Sequence, residues 1–371
     1  MEPIRILQVV TVMNRGGLET MLMNYYRQMN RSNIQFDFMV HRSARGHYDD
    51  EIESLGGMIF RMPQIRPGNY RLYFKELKKF FAVNSHYAVV HSHMNENSSF
   101  VLEAAKEAGI QCRIAHSHLS DLGLDFKLPF RVYAKYRMKD NPTQYFACSR
   151  NAGRWLFGKK IKYHGSLTIM NNAINVQEFV FNASVREEVR NELQVNNRLV
   201  IGHVGRFNEQ KNHGFLIDIF QKVHQKNKNA LLALVGEGKL QDSIKRKVER
   251  LGLSNHVLFL GMRSDIARLM QGMDLFLFPS LFEGLPVVLV EAQAAGLKCV
   301  VSDTITRDAD VTGRVEFISL QKSSEEWAQK IVSESYEHKN TMQLLRMNRY
   351  DTETMSEWLA SFYMTQVAVN K

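Results

Sequence analysis

Short β-rich apolar runs alternate with helical stretches along nearly the whole of this 371-residue chain. Ile4–Val12 is apolar almost throughout, as a strand covered on both faces should be. Gly16–Gly17 follows, then a helical pattern from Leu18 to about Met29. Ile34–Val40, Ala88–His91, Cys112–Ala115, Gln144–Cys148 and Thr168–Met170 read as further strands. Helical stretches separate most of them, notably Arg71–Val83 and Ser98–Ala108. A polar, charged segment spans residues 181–198, and a second series then begins. Its strands are Leu199–Val204, Ala230–Val235, Val257–Leu260, Leu275–Phe278 and Lys298–Ser302. Its helices are Gly214–Gln225, Lys239–Leu251, Ser264–Gln271 and Pro286–Ala295. This rhythm predicts βαβ units and parallel sheets. The expected architecture is α/β, with two doubly wound, Rossmann-like domains over 1–180 and 198–354. Ligands of open α/β sheets bind at the C-terminal edges of the strands, so the two edges are expected to line a cleft.

The apolar runs are too short to span a bilayer, which takes about 20 residues. The N-terminus enters a strand-like run with no basic and apolar leader, so a cytoplasmic chain without a signal peptide is expected. Cys112, Cys148 and Cys299 sit in or beside apolar runs without zinc spacing, and read as reduced core thiols. The net charge of +10 is uneven. Residues 1–180 carry 24 Lys and Arg against 15 Asp and Glu; the rest carries 24 against 23. A basic half attracts phosphates or anionic lipid. The stretch Phe126–Lys139 mixes aromatic and cationic residues, as an interfacial helix would, although a solvated helix face over a packed core is the plainer reading. No nucleic-acid-binding motif accompanies the charge, so no nucleic-acid partner is expected.

Four clusters carry chemistry. In Phe282–Glu291, Pro286 suits a first helical position, and Glu283 lies in the preceding loop. The backbone N–H groups around Gly284–Val288 would be helix-start donors, an anion site. Glu291 sits on a helix apolar nearly all round, where a carboxylate is costly unless paired; ribose hydroxyls would satisfy it. Directly after a strand, Arg206 and Lys211 can converge on a diphosphate. After the first strand, Gly16–Gly17 permits close approach of the backbone to a ligand, but no GxGxxG exists, which argues against a nicotinamide enzyme. Finally, His91/His93 and His116/His118 end two strands of the first half. With no carboxylates beside them, they suit hydrogen bonding to a sugar or phosphate better than a metal, and neither metal nor cofactor is expected.

Taken together, the Gly16–Gly17–x–Glu19 loop, the strand-end histidines, Arg206…Lys211, Val235–Gly238 and Glu283-x7-Glu291 resemble the family 4 retaining glycosyltransferases of the GT-B fold. Asn171–Asn175 is similar to that family's Asn-Gly-Ile-Asp segment. The wording of Met13–Met21, His116–His118 and Gly284–Ala294 is most similar to bacterial capsule and exopolysaccharide transferases. The resemblance implies that Glu291 binds the nucleotide ribose and that Glu283, Gly284 and Leu285 face the donor sugar. It implies that Arg206 and Lys211 hold the diphosphate with the Gly16–Gly17 backbone, and that Gly261–Met262–Arg263 lies beside the base. His116 or His118 would contact the transferred sugar. The donor would be a nucleotide-sugar, expected to be a UDP-sugar, which is a substrate and not a cofactor. The acceptor would be a saccharide on polyprenyl diphosphate, with peripheral contact at an anionic inner leaflet. The last helix, about 355–371, would cross back onto the first domain. Residues 303–310 lack the family's Gly-Gly-x-x-Glu pattern. A sugar-nucleotide epimerase or a non-catalytic sugar-nucleotide-binding subunit stays open as an alternative.

Overall fold

The computed structural model describes residues 2–66, 68–118, 128–138, 140–158 and 167–369. The chain divides into two compact units, Met1–Ala173 with Thr352–Lys371, and Ile174–Asp351.

The first unit is a seven-stranded sheet of β1 (Ile4–Val10), β2 (Ile34–Val40), β3 (Ile59–Arg61), β4 (Val89–Ser92), β5 (Cys112–Ser117), β6 (Gln144–Ala147) and β7 (Leu167–Ile169). Every pairing is parallel, in the order β3-β2-β1-β4-β5-β6-β7. Alternate residues of each strand serve opposite faces. Ile6 and Val10 of β1 pack with Tyr25, Tyr26, Phe36 and Phe38, and with Met355, Leu359 and Tyr363 of the last helix. Leu7 and Val9 pack with Tyr73, Leu77, Phe100 and Val101 on the other face. The last helix, Thr352–Val369, therefore belongs to this unit. Strand β1 ends at Val10, and two residues break its apolar run: Arg5, paired with Asp37, and the fully buried Gln8.

The second unit has β8 (Leu199–Val204), β9 (Ala230–Val235), β10 (Val257–Phe259), β11 (Leu275–Phe278), β12 (Lys298–Ser302) and β13 (Val315–Ile318). They form a parallel sheet in the order β10-β9-β8-β11-β12-β13. Apolar clusters cover both faces. Within the polar segment 181–198, which lies between the two expected domains, Ala183–Glu192 is a capped helix of this unit. Asn182 Oδ1 accepts from Ser184 and Val185 N–H, which supplies its N-cap. Arg186 and Arg190 hold it down by bonding Asp274 and the carbonyls of Gln271, Gly272 and Met273. Its polar residues thus bind one unit, and the division falls at Ala173–Ile174.

Candidate active site

In both sheets the order of the strands reverses once: between β1 and β4 in the first unit, and between β8 and β11 in the second. Loops leaving the C-terminal ends of such strand pairs diverge and leave room for a ligand. Most of the residues singled out from the sequence fall at these two places; His116 and His118 lie at the end of β5, and Gly261–Arg263 follow the edge strand β10.

In the second unit, the loops after β8 and β11 are laced together. Asn212 Nδ2 donates to Pro279 O at 3.1 Å, Leu281 N to Gln210 O at 2.8 Å, and Gln210 Nε2 to Phe282 O at 3.0 Å. Asn212 sits in the left-handed region (φ 54°). Asn208 Oδ1 accepts from Lys211 N–H, capping the intervening turn. The result brings Lys211 Nζ to 2.6 Å from Glu283 Oε1, with side chains 15% and 8% exposed. The same ammonium lies 4.5 Å from the centre of the Phe278 ring, within cation–π range. Lys211, assigned to the diphosphate from the sequence, is thus paired with Glu283. Arg206 is exposed and has no ion-pair partner among the described residues.

Glycines let these loops approach. Gly236 has φ +127°, its N–H donates to Gly261 O at 2.8 Å, and a Cβ there would lie 2.2 Å from Gly205 O. A Cβ on Gly205 would meet the Lys211 stem at 3.2 Å. Gly261, at φ +65°, turns the loop after β10. Met262 beside it is 74% exposed. Arg263, expected near the base, has its guanidinium forked onto Asp265 at 2.7 Å through Nε and Nη2, with Glu192 at 3.3 Å. This pairing leaves Gly261 and Met262 as the unencumbered residues of that loop.

The helix Val287–Ala294 starts one residue later than expected, with Pro286 as its N-cap residue. Pro286 is extended (ψ 114°), so it ends the loop and does not open the helix. The N–H groups of Gly284, Leu285, Val287 and Val288 have no recorded acceptor among the described residues. Glu291 is half-buried, and no donor among the described residues bonds its carboxyl. Burial pushes its pKa up to about 7. The sequence reading passed over Gln293, two residues on. It is fully buried, donates to Leu289 O and Ala309 O, and accepts from Val311 N–H and from Thr312 through N–H and hydroxyl. Gln293 thereby fixes the 309–312 segment to this helix.

In the first unit, Gly16 is the N-cap and Gly17 the first residue of the helix Gly17–Gln28. Glu19 folds back over this tip: its Oε2 would lie 2.2 Å from a Cβ on Gly16. Burial raises the Glu19 pKa. At the ends of β4 and β5, His91, His93, His116 and His118 stack with ring centroids 4.0 to 5.2 Å apart. Burial holds all four pKa values down, that of His118 to about 3, so the imidazoles are neutral. His116 is fully buried, whereas His118 is partly exposed. Nitrogens of His91, His93 and His116 lie within 4.8 Å of one another, a grouping compact enough for the metal ion that the sequence placed behind hydrogen bonding. All of their ring nitrogens but His116 Nε2 are engaged in hydrogen bonds, to each other, to His118, to Gln8 or to Tyr363.

A cavity of about 530 Å³ opens elsewhere in this unit, among the helices Tyr70–Val83, Ser98–Glu107 and Leu128–Arg137. Tyr70, Phe74, Leu77, Phe100, Phe130 and Tyr133 make its apolar wall. Of the stretch 126–139, residues 126, 127 and 139 lie outside the described residues. Its described cations are engaged: Arg131 with Glu96, Arg137 with Glu103, and Lys135 over the Trp155 ring. Val132, Tyr133 and Tyr136 are about half or more exposed.

Residues 185–341 match the family described as glycosyl transferases group 1. A putative glycosyltransferase, EpsF of Bacillus subtilis, is 38% identical over 333 residues, covering 88% of this chain and 86% of that protein. An Escherichia coli enzyme named as a UDP-Gal:α-D-GlcNAc-diphosphoundecaprenol α-1,3-galactosyltransferase is 26% identical over 62% of this chain and 60% of its own. Among solved structures, HepE of Anabaena in complex with UDP and glucose aligns with a TM-score of 0.72 at 21% identity, over 96% of this chain and 98% of that one. That likeness establishes the GT-B fold: two doubly wound Rossmann-like halves.

Proposed function

The chain belongs to the group 1 glycosyl transferases, and on that premise we propose that it is a family 4 enzyme that transfers a sugar from a UDP-sugar with retention at the anomeric carbon. A transferase takes the place of the epimerase considered from the sequence. The observation that carries the donor reading is Glu291: a half-buried carboxyl with no donor among the described residues, on the helix that leaves the β8/β11 reversal. Two adjacent ribose hydroxyls would bond it and pull it into its ionised form. Arg206 and Lys211 would take the diphosphate, together with the N–H groups of Gly284, Leu285, Val287 and Val288. Gly261 and Met262 would lie beside the base. In the first unit, the Gly16–Gly17 tip suits a phosphate, and His118 suits a sugar hydroxyl.

As the anomeric bond breaks, negative charge builds on the departing diphosphate. Fixed cations and helix-start donors stabilise that charge, each well-placed donor contributing about 3 kcal/mol. Glu283 orients Lys211 and the sugar and does not attack. Retention would follow from front-face attack, the acceptor proton passing to the donor phosphate. These groups supply the positive charge themselves, so the reading calls for no metal or cofactor.

The acceptor we propose is a saccharide on polyprenyl diphosphate, in exopolysaccharide or capsule assembly. It is supported by the basic first half, the acceptor named for the E. coli relative, and the aromatic cavity. Among the described residues no helix is long and apolar enough to cross a membrane, so contact with an anionic leaflet would be peripheral. The test is release of nucleoside diphosphate from a panel of sugar nucleotides mixed with a lipid-linked saccharide, with the product anomer read by NMR. Release of UDP with an α-linked product from an α-donor is expected. Absence of turnover across the panel, with binding intact, would overturn the reading.

A further inference from the structure

Five hydrogen bonds join Gln8, Tyr363 and the four clustered histidines, and elementary donor–acceptor accounting ties every proton in the set to the direction in which the Gln8 amide faces. Gln8 Nε2 donates to the Tyr363 hydroxyl at 3.2 Å, which leaves Gln8 Oε1 facing His93 Nε2 at 2.9 Å. An amide oxygen only accepts, so His93 carries its proton on Nε2. Its bare Nδ1 then accepts from His118 Nε2 at 3.0 Å. His118 is thereby protonated on Nε2, and its Nδ1 presents a lone pair with no partner among the described residues. On the other branch, the fully buried Tyr363 hydroxyl has one acceptor for its proton, His91 Nδ1 at 2.7 Å. His91 Nε2 then donates to His116 Nδ1 at 3.1 Å. That leaves the N–H of His116 on Nε2, which is buried and unpartnered.

We propose that Gln8 and Tyr363 are positioning residues that set all four imidazoles in the Nε2–H tautomer, so that His118 offers a sugar hydroxyl an acceptor. Turning the Gln8 amide over would reverse every proton in both branches and make His118 a donor. One buried amide on β1 and one hydroxyl from the last helix thus decide which kind of group His118 can bind. That the group is a sugar hydroxyl rests on the function proposed above; the tautomers do not.

The test is long-range ¹H–¹⁵N correlation of the full chain labelled with ¹⁵N-histidine, at neutral pH. Four neutral imidazoles with a protonated Nε2 and a bare Nδ1 are expected. In Gln8→Glu a carboxylate accepts from both neighbours. His93 and His118 keep their tautomer, while Tyr363 turns to donate to the carboxylate, and His91 and His116 cross to Nδ1–H. An Nδ1–H signal for His118 or His91 in the unaltered protein, or four unchanged signals in Gln8→Glu, overturns the proposal. Should Gln8→Glu not fold, Tyr363→Phe reads the same network: His91 and His116 lose their fixed tautomer, and His93 and His118 keep theirs through Gln8 Oε1. All four moving together would overturn it. Expected tautomers in a protein that turns over no sugar nucleotide would leave this inference standing and remove the functional reading.

Discussion

The Lys211 ammonium sits 2.6 Å from the Glu283 carboxylate, joining the loop after β8 to the loop after β11 across the point where the strand order reverses. The residue types at both ends were legible in the sequence; their pairing was not, because 72 positions separate them. The pair neutralises one of the two cations assigned to the diphosphate, and it makes Lys211 part of the fold as well as of the site.

Lys211 and Arg206 should therefore behave differently. Breaking a buried pair by removing one partner costs about 3–5 kcal/mol. Lys211 keeps 15% exposure, so Lys211→Ala is expected at the low end, about 3 kcal/mol, read as a fall in denaturation midpoint. Arg206 is exposed, so Arg206→Ala should change stability by less than about 0.5 kcal/mol. Both should lower turnover by roughly two orders of magnitude. Steady-state kinetics beside chemical denaturation separates the two effects; a stable Arg206→Ala with undiminished kcat would remove Arg206 from the diphosphate site.

Glu291 gives a pH dependence whose sign can be worked out. Its folded pKa of about 7 lies above the ordinary value of 4.5. The folded chain therefore holds the proton more tightly than the unfolded one, and this group's contribution to stability falls as pH rises from about 4.5 to 7. Glu291→Gln removes that penalty, so it should raise the denaturation midpoint at pH 8 and leave it nearly unchanged at pH 5. If ribose hydroxyls bond the ionised form, nucleotide binding should tighten between pH 6 and 8 with release of a proton. Calorimetry in buffers of different ionisation enthalpy measures that proton, and Glu291→Gln should abolish it.

Gly236 tests the backbone of the same site. Its φ of +127° and a Cβ position 2.2 Å from Gly205 O leave no room for a side chain. Gly236→Ala should destabilise by well over 1 kcal/mol, since it adds strain and a backbone clash where a compatible Gly→Ala change would stabilise. Gly284 offers the control: a Cβ there meets nothing within 4 Å, so Gly284→Ala should fold normally. Thermal denaturation of the two variants decides whether the tight approach of the loops after β8 and β9 is required.

What the sequence disclosed follows from burial. Leu199–Val204, Ala230–Val235, Leu275–Phe278 and Lys298–Ser302 form strands with the bounds their apolar runs predict. Both faces of these strands are covered, so hydrophobicity alone marks them. Strands β3 and β13 lie at sheet edges, are short, and carry Arg61 and Glu316 with half-exposed neighbours, so no apolar run announced them. Pro286 shifted from first helical position to cap because its preferred φ suits either place. The candidate site was legible as residue types at strand ends. Gln8 was hidden by contrast: it sits in an apolar strand, and its partners lie 85 and 355 positions away.

The aromatic cavity of the first unit yields a prediction that separates charge from apolar contact. Arg131 and Arg137 are tied to Glu96 and Glu103, and Lys135 lies over Trp155, so the described cations of this helix are engaged within the protein. Val132, Tyr133 and Tyr136 are the large hydrophobic side chains it exposes, beside Arg137. If the helix docks on a bilayer, its aromatic and apolar side chains should supply much of the binding, with anionic lipid adding to it. Flotation with vesicles should then show binding to zwitterionic lipid, strengthened by anionic lipid. A Val132→Ser/Tyr136→Ser variant should lose most of it, while turnover on a water-soluble acceptor stays unchanged because neither residue lies at the strand ends. Binding that needs anionic lipid and survives the double substitution would assign the contact to the basic excess elsewhere in residues 1–180.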